Sequence, residues 1–248
     1  METISFGGID EITNTDLSGV KPDDEVGVIT KMTSGVKRPE RVNIFINGKY
    51  VFNLDVSQVV EYKVKVGQLV PPKRLEELKK ASEFNRYWHM ALEKALRRPH
   101  SEREMKIYLE MKTRKRTLRV RYRTGKYVDK VMEGMDPLLV DVIIKRLKEK
   151  KYLNDEVFVK FYSGTRRVQK GMSSRRLAME LRYKGATDEL IEPVMKERDD
   201  EEEIEKVIEK KKKKYPPEKL FRYLVGQGFD FQLIRSKLEA EYGQKVRF

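Results

Sequence analysis

SSRRLAMELRYKGATDELIEPVM (residues 173–195) and PPEKLFRYLVGQGFDFQLIRSKL (residues 216–238) share seven landmarks without a gap. In the first stretch these are Ser173, Leu177, Leu181, Gly185, Leu190, Ile191 and Met195. In the second, 43 residues on, they are Pro216, Leu220, Leu224, Gly228, Leu233, Ile234 and Leu238. Each landmark has a physical role. Ser or Pro starts a helix, as an N-cap or as a first-turn residue with a preset φ. Leucines four apart build an apolar stripe. The glycine four residues past the second leucine permits the left-handed conformation that stops the helix. Leu-Ile then opens the core face of a second helix. A fixed period of this length is the mark of a repeat architecture.

A third copy lies upstream and is interrupted. Ser101, Met105 and Leu109 match the first helix, and Leu139, Val140 and Ile144 the second, but 21 extra residues separate them and Thr113 stands in place of the glycine. A leading helix precedes each copy, at 84–98, about 155–169 and about 200–213. The expected fold is therefore mainly α: three tandem three-helix units in an elongated, solenoid-like array.

The interruption contains RKRTLRVRYRTGK (114–126), with seven Lys or Arg among thirteen residues and no acid. Leu118, Val120 and Tyr122 alternate with Arg119, Arg121 and Arg123, which is strand periodicity, and Thr124-Gly125 can turn the chain. The expectation is a β-hairpin finger, one edge arginine-rich and the other apolar, inserted at about 113–134.

Ahead of the helical part, VGVITKM and RVNIFI read as short strands. Asn47-Gly48 supplies the two positive-φ positions of a tight hairpin turn before KYVFNL. The domain boundaries that follow are an acidic, aperiodic tail at 1–24, a small β-rich module at 25–71, and units at 72–153, 154–198 and 199–248.

Composition narrows the function. The chain of 248 residues is 39% hydrophobic and 38% charged, with formal net charge +14. Such a balance suits small helical bundles with wet surfaces, and a polyanionic partner, nucleic acid or an acidic protein surface. Without cysteine there is no disulfide, thiolate metal site or cysteine nucleophile. The first 25 residues carry seven acidic groups and one lysine, unlike a secretory signal. No apolar run is long enough to span a bilayer. A cytoplasmic location with no membrane partner is expected.

Unit one ends in KRLKEKKYLND (145–155), and unit two opens with EVFVKFYSGTRRVQKGMSSRRLAMELRYKG (156–185). These stretches resemble the RecX family of recombination regulators, in which a three-helix repeat ends in a similar Tyr-Leu-Asn-Asp joint followed by an aromatic helix. VITKM through NIFINGKYVFNLD is similar to the β-rich extension of some members. The resemblance spans roughly residues 27–242; the 21-residue interruption and the acidic tail depart from it. It implies a non-enzymatic protein that binds the RecA recombinase filament on DNA, single-stranded or duplex, and limits filament growth, ATPase and strand exchange; a monomer is expected. The alternative is a stand-alone DNA-binding or nucleoid-associated protein whose units act like helix-turn-helix modules.

No catalytic constellation or cofactor motif is legible. His89 and His100 are eleven residues apart, and Gly226-Gln-Gly228 ends a helix rather than opening one on a phosphate. RDDEEE (198–203) suits the first turn of a helix, where acids complement the dipole. The candidate binding residues are basic: Arg114, Lys115, Arg116, Arg119, Arg121, Arg123 and Lys126 in the insertion, and Arg166, Arg167, Lys170, Arg175, Arg176 and Arg182 in unit two. Cations at a helix start oppose its dipole, so the Arg175–Arg176 pair suits an external anion or acidic partner, the alternative being a solvated face. Whether these residues touch DNA or recombinase stays open.

Overall fold

The computed structural model describes residues 26–35, 38–121, 125–165, 168 and 171–243. The acidic tail expected at 1–24 lies outside them. The described residues divide into two compact units, one ending at Arg86 and the other beginning at Tyr87.

The first unit is built on strands β1 (Gly27–Ser34), β2 (Arg41–Ile46), β3 (Lys49–Asp55) and β4 (Leu69–Val70), in the antiparallel order β3-β2-β1-β4. Asn47 and Gly48 both have positive φ, as the β2–β3 turn requires. Helix α1 (Val56–Glu61) starts in a reciprocal capping box between Asp55 and Gln58. Ile29, Ile44, Phe52, Leu54 and Val70 form the core together with Leu78 from the first half of α2 (Pro72–Arg97).

Among the described residues, the helices of the second unit include the following groups. After the second half of α2 come α3 (Glu102–Glu110) and α4 (Leu138–Glu149), then α5 (Asp155–Ser163), α6 (Ser174–Tyr183) and α7 (Asp188–Lys196), and then α8 (Asp200–Lys211), α9 (Pro217–Gly226) and α10 (Phe231–Tyr242). The stripe leucines are the core: Leu177, Leu181, Leu220 and Leu224 are fully buried, as are Met105 and Leu109 in the interrupted copy. Each such side chain contributes roughly 1.5–3 kcal/mol by leaving water. Helices α5–α7 and α8–α10 close around separate apolar clusters. Helix α5 ends at Ser163, short of the expected end near residue 169. Gly164 caps it, and the Thr165 hydroxyl donates to the Tyr162 carbonyl.

The repeat glycines do more than stop helices. Gly185 and Gly228 have φ of +94° and +88°, and a Cβ on either would lie within 2.7 Å of Arg103 Cβ or 2.8 Å of Ser173 Oγ. Each glycine thus lets the end of one unit's middle helix press against the start of the preceding unit's middle helix. At the first joint the Ser101 hydroxyl donates to the Lys184 carbonyl at 2.6 Å and accepts from Glu104 N–H at 3.1 Å. At the second, Ser173 N–H donates to the Gln227 carbonyl at 3.2 Å while its hydroxyl accepts from Arg176 N–H at 3.1 Å.

A carboxylate completes each joint. Asp155, opening α5, accepts from Glu102 N–H at 2.8 Å, and Asp200, opening α8, accepts from both N–H and hydroxyl of Ser174 at 2.8 Å. Both carboxylates sit at a helix N-terminus of the neighbouring unit, where the orphan N–H groups and the dipole favour an anion. Asp199 meanwhile caps α8 itself by accepting from Glu201 N–H.

Candidate partner interface

Between α3 and α4 the chain leaves the helical array as an antiparallel hairpin, β5 (Arg116–Arg121) with β6 (Tyr127–Met132). At its base Met135 N–H donates to the Lys112 carbonyl, and Gly134 passes so close to Thr113 that a Cβ would fall 1.8 Å from the Thr113 carbonyl oxygen. Only glycine allows that pinch.

The pleat sorts the side chains into two faces. Leu118, Val120 and Val128 share one face with Arg116 and Lys130. Arg119 and Arg121 share the other with Tyr127, their guanidinium carbons 5.0 and 5.9 Å from its ring centre. The expected arginine-rich and apolar edges are instead two mixed faces, because Asp129 and Val131 join the arginines and Arg116 and Lys130 join the apolar residues. Both strands are exposed along nearly their whole length; Leu118, Val128 and Val131 are 43%, 48% and 61% exposed. A two-stranded ribbon is marginal in water by itself, and its open edges invite pairing. Arg114 and Lys126 flank it on the surface, and Lys115 is engaged with Glu133 at 2.8 Å. Arg123 lies outside the described residues.

In the α5–α7 unit the basic candidates are dispersed among different tasks. Arg166, Arg167 and Lys170 lie outside the described residues. Arg176 is engaged in the second joint, donating to the Gly226 carbonyl and lying 3.5 Å from Glu180. Arg182 pairs with Asp188 at 2.7 Å. Arg175 is exposed on the first turn of α6. Of the aromatic residues, Phe158 and Tyr162 are core, while Tyr152 and Phe161 are 42% and 39% exposed.

The lysine run at 210–214 closes α8. Lys212 pairs with Glu209 and Glu241, whose hydrogen bonds push its pKa up, and Lys211 lies over the rings of Tyr215 and Tyr223. Among the described residues no cluster of His, Asp and Glu could hold a metal ion, and no helix is long and apolar enough to cross a membrane.

Periodicity missed the joint carboxylates, although a signal was present. Asn154-Asp155 and Asp199-Asp200 recur 45 residues apart rather than 43, so the leading helices are out of step with the other two.

A basic ribbon raised on serially joined three-helix units defines a helical-repeat protein. Residues 27–71, the small sheet module, match the family model described as regulatory protein RecX N-terminal domain. The chain is 30% identical over 169 residues to regulatory protein RecX of Listeria innocua serovar 6a, covering 68% of this chain and 55% of that protein. It is 29% identical over 167 residues to regulatory protein RecX of Bacillus subtilis strain 168, covering 67% and 55%. A crystal structure of regulatory protein RecX shares the fold, with TM-score 0.57 and 17% identity, over 86% of this chain and 99% of that one. The matches span about half the length of the curated relatives. Residues 27–71 thus carry a RecX-type N-terminal domain, and about 170 residues of the chain are similar to regulatory proteins RecX.

Proposed function

We propose that the protein is a non-enzymatic regulator that binds a RecA-type recombinase filament on DNA and limits its growth, ATP hydrolysis and strand exchange. The observation that carries this reading is the 169-residue similarity to a regulatory protein RecX. A filament presents the same surface at regular intervals, and a row of three-helix units offers a matching series of contacts. The finger adds a contact that units two and three do not have, with Arg119 and Arg121 on one face, Arg116 and Lys130 on the other, and exposed apolar side chains on both. Its targets are the phosphates of filament DNA or the acidic surface of the recombinase. The reading is tested by mixing the protein with its own recombinase, single-stranded DNA and ATP, and measuring filament length by electron microscopy. Filaments should shorten at substoichiometric protein. Unchanged filaments, with equally tight binding to naked duplex, would favour a stand-alone DNA-binding protein instead.

A further inference from the structure

A shallow recess of about 280 Å³ lies between the end of α2, α3 and the end of α6, within the second compact unit. Four cations line it, Lys94, Arg98, Arg103 and Lys184, against one carboxylate, Glu104. That carboxylate is already engaged: Arg98 donates to it at 3.0 Å and Lys184 at 2.6 Å. Burial alone would raise its pKa, but these two hydrogen bonds outweigh burial and hold it below the usual carboxylate value.

The remaining cations rest on aromatic faces instead. Lys94 and Lys112 each place their ammonium 4.7 Å from the centre of the Tyr108 ring, and Arg103 places its guanidinium 5.4 Å from that of Tyr183. Among the described residues, no ion pair joins Lys94, Arg103 or Lys112 to a carboxylate. Burial and the nearby Arg98 charge lower the Lys94 pKa, and the Glu104 charge offsets them only in part. Tyr183 is 77% exposed, and Ile107 and Met111 leave apolar surface beside it.

Cations without an ion-pair partner of their own, set beside a largely exposed aromatic ring and apolar floor, match one chemical class. From this we infer that the recess recognises a nucleotide, its base stacking on Tyr183 and its phosphate held by Lys94 and Arg103. Base–aromatic stacking tolerates any base, and Lys and Arg supply the phosphate contacts. An acidic peptide would satisfy the charges but not the ring. Free nucleoside phosphate and a nucleotide within a single strand share this chemistry. Lys112 leads on to Arg114 and Arg116 of the finger, so a strand could follow that basic track.

The inference is independent of the filament reading and is tested without recombinase. Binding to the full chain is measured by titration calorimetry with ATP, a short single-stranded oligothymidylate, inorganic phosphate and a poly-glutamate peptide. Saturable binding of ATP identifies a free-nucleotide site; binding of the oligonucleotide alone identifies a strand site. In either case Tyr183→Ala, at an exposed position, should weaken binding about 5- to 150-fold, the range expected for one lost stack. Lys94→Gln should weaken it too, whereas Lys145→Gln, an exposed charge-matched control, should change it less than about twofold. Phosphate or poly-glutamate binding as tightly as either nucleotide ligand would overturn the inference. So would nucleotide binding that Tyr183→Ala leaves intact.

Discussion

Gly226 and Gly228 are two residues apart at the end of α9, yet alanine should act in opposite directions on them. Gly228 sits at φ +88°, where an L side chain costs about 1–2 kcal/mol. Its new Cβ would lie 2.8 Å from Ser173 Oγ and 3.0 Å from Arg176 Cβ, atoms of the second joint. Displacing the fully buried Ser173 threatens its N-cap bond to Arg176 N–H, and losing a cap costs typically about 1 kcal/mol. Alanine's stiffer unfolded chain returns about 0.4–1 kcal/mol. The net cost of Gly228→Ala is therefore about 2 kcal/mol. Gly226 is helical, and a Cβ there meets nothing within 4 Å. Ala is the better helix former by up to about 1 kcal/mol, less at this last turn. For a chain of this size each kcal/mol moves Tm by about 2–4 °C. Thermal unfolding followed by circular dichroism should place Gly228→Ala about 4–8 °C below the parent and Gly226→Ala at or slightly above it. Equal shifts for the two variants would refute the joint as a tight contact and reduce the glycine to a helix stop.

Three further outcomes follow from the same geometry. Replacing Arg119 and Arg121 together with alanine should weaken filament or DNA binding while leaving Tm within about 1 °C, since surface changes away from packing stay within roughly 0.5 kcal/mol; a fall in both would make the finger structural. Asp200→Ala removes the acceptor of Ser174 N–H and hydroxyl and should cost about 1–2 kcal/mol in urea unfolding, whereas Asp199→Ala should lose only the α8 cap, about 1 kcal/mol. Glu104 has a folded pKa below its ordinary value, so its contribution to stability is full above about pH 4.5 and is lost as pH falls through the folded value. Urea midpoints measured from pH 7 down to pH 3 should fall less steeply for Glu104→Gln than for the parent.

How far the sequence discloses this molecule depends on which physics writes the pattern. Leu177, Leu181, Leu220 and Leu224 had to be buried because an apolar stripe at fourfold spacing has no other stable place, and they are. Asn47-Gly48 and the alternation at 118–121 specified hairpins for the same local reason. The joints were illegible because they are made between units. Gly185 and Gly228 read as helix stops, while their second role depends on Arg103 and Ser173, 82 and 55 residues away. Charge was also misleading by itself. Arg176 and Arg182 belong to a basic cluster in the sequence, yet one is engaged in a joint and the other is paired with Asp188. Lys94 and Arg103 carried no local signal, and only the fold brings them beside Tyr108 and Tyr183.

Regulation of the filament is read out in DNA-dependent ATP hydrolysis by the cognate RecA-type recombinase. The protein is titrated into recombinase preassembled on single-stranded DNA with ATP at low salt. Hydrolysis should fall at well under one protein per recombinase, and the Arg119→Ala, Arg121→Ala double variant should need more protein for the same effect. A hydrolysis rate unchanged up to an equimolar ratio would contradict regulation of the filament.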